Sequence, residues 1–149
     1  MYPNIKGSEQ FAILTVLDPS SAAAGTATSS WVPVATFHSM LAVIQTGALG
    51  TSATIDAKLR QATDSSGTGA KDVTGRAIVQ IVKATGDSKQ ALINMRCDEI
   101  DTNNAFTHVA LSVTVGTAAS IYNALLLGMN PRFAPGSDAN PAAVVQIIG

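Results

Sequence analysis

Residues 53–60 alternate without a break: Ala53, Ile55, Ala57 and Leu59 against Thr54, Asp56, Lys58 and Arg60. Successive side chains of extended backbone point to opposite sides, so this rhythm predicts a strand with one dry face and one wet face. The rhythm returns at 91–96, where Ala91, Ile93 and Met95 alternate with Leu92, Asn94 and Arg96. It returns again at 106–115, which should turn Val109, Leu111, Val113 and Val115 inward and His108, Ser112 and Thr114 outward. Composition points the same way. Ala, Ser and Thr exceed a third of the chain and Glu occurs twice, whereas helical proteins lean on Glu, Lys, Leu and Gln.

The remaining segments fit between these strands. Phe11–Leu17 reads as a strand apolar on both faces and stopped by Asp18-Pro19. Ser20–Ser30 is low in complexity and reads as a loop. Trp31–Val34 and Ala35–Gln45 read as extended, with Pro33 at an edge or bend, and Thr46–Gly50 as a turn. Thr63–Asp72 is expected to be a polar loop, Ala77–Lys83 a strand, and Asp98–Asn104 a turn. Ile121–Met129 and Ala142–Ile148 complete the strands, with a proline-containing loop at Asn130–Gly136 between them. About eight strands at this spacing predict an all-β fold, a single-domain antiparallel β-sandwich that is jelly-roll-like. An immunoglobulin-like sandwich uses the same strands and is the alternative. The expected organisation is an extended N-terminal arm over residues 1–10 and the sandwich over 11–149.

Nine Lys and Arg against ten Asp and Glu give a net charge of −1. A nucleic-acid binder needs a basic face to neutralise phosphates, so no direct nucleic-acid contact is expected. No apolar run approaches the roughly 18 residues of a spanning helix, and Lys6 is followed by Gly-Ser-Glu instead of the apolar core of a signal peptide. Neither a membrane partner nor export is expected. Charged residues make up 13% of the chain, about half the usual share. A soluble chain so poor in charge is expected to hide part of its surface against copies of itself or a partner.

Residues able to do chemistry are few. Cys97 stands alone, which excludes an internal disulfide and a cysteine zinc site, and it reads as a small buried apolar residue. His38 and His108 are the only histidines. They can be set beside serines and Asp101 on paper, His108 with Asp101 or Ser112, as a ligand-binding or hydrolytic alternative, but no Gly-x-Ser-x-Gly elbow accompanies them. Gly67-Thr-Gly-Ala-Lys71-Asp72 resembles a phosphate cradle only loosely, because Asp72 replaces the required Ser or Thr. Asp98, Glu99, Asp101, Asn103 and Asn104 lack the spacing of a calcium loop and read as a turn held by side-chain oxygens. Trp31 and Phe37 read as core or interface anchors. The sequence therefore predicts no catalytic, cofactor-binding or metal-ligating residues, and a protein that is not an enzyme.

Several segments taken in order resemble a known group. They are Ala53–Thr63 leading into Gly67–Gly75, Lys89–Arg96 leading on to Phe106–Ala118, and Leu127-Gly-Met-Asn-Pro-Arg-Phe-Ala-Pro135. Together, over roughly residues 35 to 149, they resemble small head proteins of tailed bacteriophages. The resemblance implies a capsid decoration, or cement, protein on the exterior of the virion, made in the host bacterial cytoplasm. It implies a homotrimer whose partner is the phage major capsid protein, bound across neighbouring subunits. Another head or tail component, such as a spike base, minor capsid or tail protein, is the alternative.

Overall fold

The structure, a computed structural model, describes residues 4–149. Ten strands form it: β1 (Phe11–Ala22), β2 (Gly25–Thr28), β3 (Val32–Pro33), β4 (Phe37–Thr46), β5 (Thr54–Ala62), β6 (Lys71–Ala77), β7 (Ile81–Val82), β8 (Gln90–Arg96), β9 (His108–Gly116) and β10 (Ser120–Pro131). Helix is confined to single turns, such as Gly7–Gln10 and Lys83–Gly86. Sheet A has the order β1-β10-β4-β8 and sheet B the order β2-β9-β5-β6, with β3 on β9 and β7 on β5.

This order decides between the two sandwiches. The antiparallel partners β1–β10, β2–β9, β4–β8 and β5–β6 are nested around one central connection. The chain is thus a long two-stranded ribbon, rolled so that β10 meets β4 and β9 meets β5. That is the jelly roll. An immunoglobulin-like sandwich instead places its first two strands side by side, whereas here β1 lies beside the last strand.

Alternation builds the core as the sequence requires. Ala53, Ile55, Ala57 and Leu59 are buried, and β9 sets Val115, Val113 and Leu111 beside the last three of them in register. From sheet A, Phe37, Met40, Ile44 and Leu126 face them, each nearly inaccessible to solvent. Gly128 makes room for Phe37: a Cβ there would stand 2.5–2.7 Å from three ring carbons.

Several boundaries differ from expectation. Asp18-Pro19 does not end β1; the ladder slips between Leu17 and Ser20 and resumes to Ala22. A bulge accommodates the proline, which has no N–H to donate. The Ser20–Ser30 segment contributes β2, whose Thr26 hydroxyl lies 2.7 Å from that of Thr114. Lys71 and Asp72 belong to β6, not to the loop before it. The 77–83 strand is broken into the end of β6, β7 and a helical turn. Of the expected extended arm, residues 1–3 lie outside the described residues, and Gly7–Gln10 is one helical turn closed by the Lys6 N–H donating to Glu9 Oε2 at 2.8 Å. Residues 142–148 form no strand. Asn140 Oδ1 accepts the Ile13 N–H at 2.8 Å, capping edge strand β1 with a side chain, and the following segment leaves Val145 88% exposed.

Overpacking a filled core costs about 1–3 kcal/mol, so Gly128→Ala should lower stability by that amount in urea unfolding. Combining it with Phe37→Leu should cost less than the sum of the two single changes, because both act on one contact.

Candidate interaction face

The residues that sequence offered for chemistry are placed apart. His108 Nδ1 lies 2.9 Å from the Thr107 hydroxyl. Ser112, four positions along β9, stands about 13 Å away by strand rise. It is 2% exposed instead of solvated, covered by its neighbours, and its Oγ accepts from Thr28 at 3.4 Å. Asp101 is occupied by Lys71 at 2.5 Å and by Asn104 at 2.8 Å. His38 is exposed beside a depression that holds one carboxylate, Asp98, which is paired with Arg96. Cys97 is 5% exposed, and burial pushes its thiol up to about 11.

The glycine-rich loop has a structural explanation. Asp64 Oδ1 accepts the N–H groups of Ser66 and Thr68 at 2.9 and 3.1 Å, an Asx turn. Gly67 then adopts φ +82, and a Cβ on it would lie 2.5 Å from Trp31 Nε1. The half-buried Trp31 thus closes over the loop. Lys71 turns away from any cradle, toward Asp101, with its ammonium 4.5 Å from the centre of the Phe106 ring. The Asp98–Asn104 turn is fixed from sheet B, since the Asp101 N–H donates to Gln61 Oε1 at 2.7 Å. Its carboxylates are matched by cations, Glu99 by Arg76 at 2.5 Å and Asp98 by Arg96. Among the described residues no group of three or more His, Cys, Asp or Glu is gathered as a metal centre would require.

These ion pairs set the electrostatics. Lys58 bonded to Asp72, Lys83 to Asp87, Arg76 to Glu99 and Lys71 to Asp101 each hold the carboxyl below its ordinary value. The pairs stand on or beside β5, β6, β8 and the turn after it. Charge is therefore concentrated on sheet B and along the β6–β8 side.

The outer face of sheet A is the opposite. The inward positions Ala124, Leu126, Ala42, Ile44, Ile93 and Met95 are buried, so their neighbours face out. Register places Val16, Leu125, Val43 and Leu92 in one row across all four strands. The next row runs Ile13, Leu127, Leu41 and Asn94, and the third Phe11, Met129, Ser39 and Arg96. Of these twelve positions nine are apolar and only Arg96 is charged. The corresponding row on sheet B is Thr28, Ser112 and Lys58. The apolar runs on both faces of β1 are one sign of this surface in the sequence. Met40–Ile44 and Ala124–Leu127 carried the same signal, because a strand with no polar face is one covered on both sides.

No family model matches the chain, and no curated protein matches it. Among solved structures it is similar to one of broad bean stain virus, with a TM-score of 0.46 and 15% identity over 91% of this chain and 92% of that one. It is similar also to the naturally occurring empty particles of cowpea mosaic virus, with a TM-score of 0.42 and 10% identity over 87% and 88%. For infectious bursal disease virus strain Gx the TM-score is 0.45 and the identity 12%, over 86% of this chain and 33% of that one. The chain thus spans a third of the bursal disease virus chain. At these values the likenesses are of fold alone, and the jelly-roll assignment rests on the strand order.

Two outcomes follow from the side-chain environments. Carboxyls held low stabilise the fold above their unfolded values, 3.8 for Asp and 4.5 for Glu, and that stabilisation is lost as pH falls through the folded values. The urea midpoint should therefore be level down to about pH 5 and drop below about pH 4. Cys97 should resist a thiol reagent at about pH 8 in the native state and react fully in urea.

Proposed function

We propose that this chain is a non-enzymatic structural protein of a virion, a decoration protein that stabilises a tailed-phage head by binding across neighbouring major capsid subunits. The observation that carries the proposal is the division of the sandwich into a charged, hydrated sheet B and an apolar, nearly charge-free outer face on sheet A. Covering a surface of that kind is favourable, since each Å² of apolar area removed from solvent contributes about 25 cal/mol. A molecule that works by being held between neighbours has a use for such a face.

The sequence resemblance to small phage head proteins supports the same reading, as does the jelly roll, a fold that recurs in capsid proteins. Fold alone does not carry function, which is why the face bears the argument. Small Ala, Ser and Thr side chains lose little rotamer freedom on burial, and sparse charge lowers the cost of desolvating an interface.

The test is to add the purified chain to phage heads lacking their small head proteins and image them by cryo-electron microscopy. Density on the capsid exterior bridging major capsid subunits, with a higher temperature of head disruption, is the expected result. Failure to bind, or ring-like density on the tail, would overturn the assignment.

A further inference from the structure

We propose that the outer face of sheet A is a self-association surface that takes the same face of a second copy of this chain, in a two-fold, sheet-on-sheet dimer. The inference rests on the reading that the chain works by being packed against neighbours; it gives this face to a second copy, in place of the homotrimer that the resemblance implies, and leaves the capsid contact to the rest of the surface.

Three observations select this occupant. The first is charge. A two-fold contact sets a face against its own copy, and like charges meet where a charged position lies at the axis. Here the single charged position, Arg96, is at the corner of the apolar block and is already paired with Asp98. The two copies of Arg96 would fall on opposite sides of the axis. A face whose one cation is already paired with a carboxylate is unsuited to phosphate or to an anionic lipid surface.

The second is anatomy. The apolar rows are bordered by neutral hydrogen-bonding groups, with Asn123, Gln45 and Gln90 in register at one end and Ser39 and Asn94 toward the other. An apolar centre with a polar rim is how protein interfaces are built.

The third is area. Four strands about 4.8 Å apart, over the nine residues Ile121–Met129 at about 3.3 Å each, give a flat footprint of roughly 570 Å². The largest apolar patch on an ordinary monomer is about 300–600 Å² and is often functional, and a standard interface removes roughly 800 Å² of accessible surface per partner. The face has the size of a modest, reversible interface. No comparable match exists on the other sheet, whose outer row carries Lys58 and whose neighbouring positions carry Asp56 and Arg60. Facing sheets pack about 10 Å apart with interdigitating side chains, which Leu125, Val43 and Leu92 supply.

Sedimentation equilibrium of the isolated protein from about 1 µM to about 200 µM, with no capsid present, tests this. The expected result is reversible approach to twice the 15.2 kDa chain mass. Leu92→Lys, at a position 59% exposed on an edge strand, should weaken the dimer at least tenfold while leaving the circular dichroism melt within a few degrees of wild type. Thr114→Lys on sheet B should leave the mass curve unchanged. A wild-type protein that stays monomeric throughout overturns the proposal, and so does one that reaches three times the chain mass. So does equal weakening by the two variants. A monomer that nevertheless binds capsids would refute the dimer and leave the proposed function standing; a dimer that ignores capsids would do the reverse.

Discussion

The antiparallel ladder between the first long strand and the last, β1 with β10, is the interaction on which the rest depends. It brings residues more than a hundred positions apart into register, Phe11 with Met129 and Leu17 with Ala124. It also makes β10 an interior strand, flanked on its other side by β4. Remove that ladder and sheet A loses β1, leaving β10 as an unpaired edge beside β4 and β8. With it, Leu126 and Ala124 lie in the core opposite sheet B, and Leu125 and Leu127 are driven to the outside.

That last consequence links fold to use. A strand of period two cannot hide both of its apolar sides within one sandwich, so an apolar run in a central strand of sheet A must present half its side chains outward. β10, β4 and β1 all do so, at positions that register aligns into rows. β5 shows the opposite choice. Its outward Asp56, Lys58 and Arg60 keep sheet B hydrated, and Lys58 and Arg60 are tied into ion pairs with Asp72 of β6. The molecule is two-sided because the strands of the two sheets carry different outward residues.

Much of this was legible from residues. The β5 and β8 alternations specified which side chains are buried, and the jelly roll was anticipated together with its rival. What alternation could not see was strand order, because pairing partners so distant in sequence leave no local mark. Short elements escaped for a different reason. β2 is Gly-Thr-Ala-Thr, with no apolar side chain larger than alanine, and it is held by its ladder to β9 instead of by burial of its own. Residues 142–148 differ the other way: β-branched residues give strand propensity, but Asn140 meets edge strand β1 at Ile13 with a side chain, and no ladder follows. The interaction face was half visible, as apolar runs that only become a surface once Leu125 is known to lie between Val16 and Val43.

The interior position of β10 also governs how the molecule is made. On the ribosome β1 and β4 emerge first, yet the strand that joins them is synthesised more than seventy residues after β4. Until then both carry apolar side chains on two sides with no ladder between them, a state open to mispairing. Nascent chains should thus lean on chaperones until residue 131 clears the exit tunnel, and slower translation across the β9–β10 turn would lengthen that exposure.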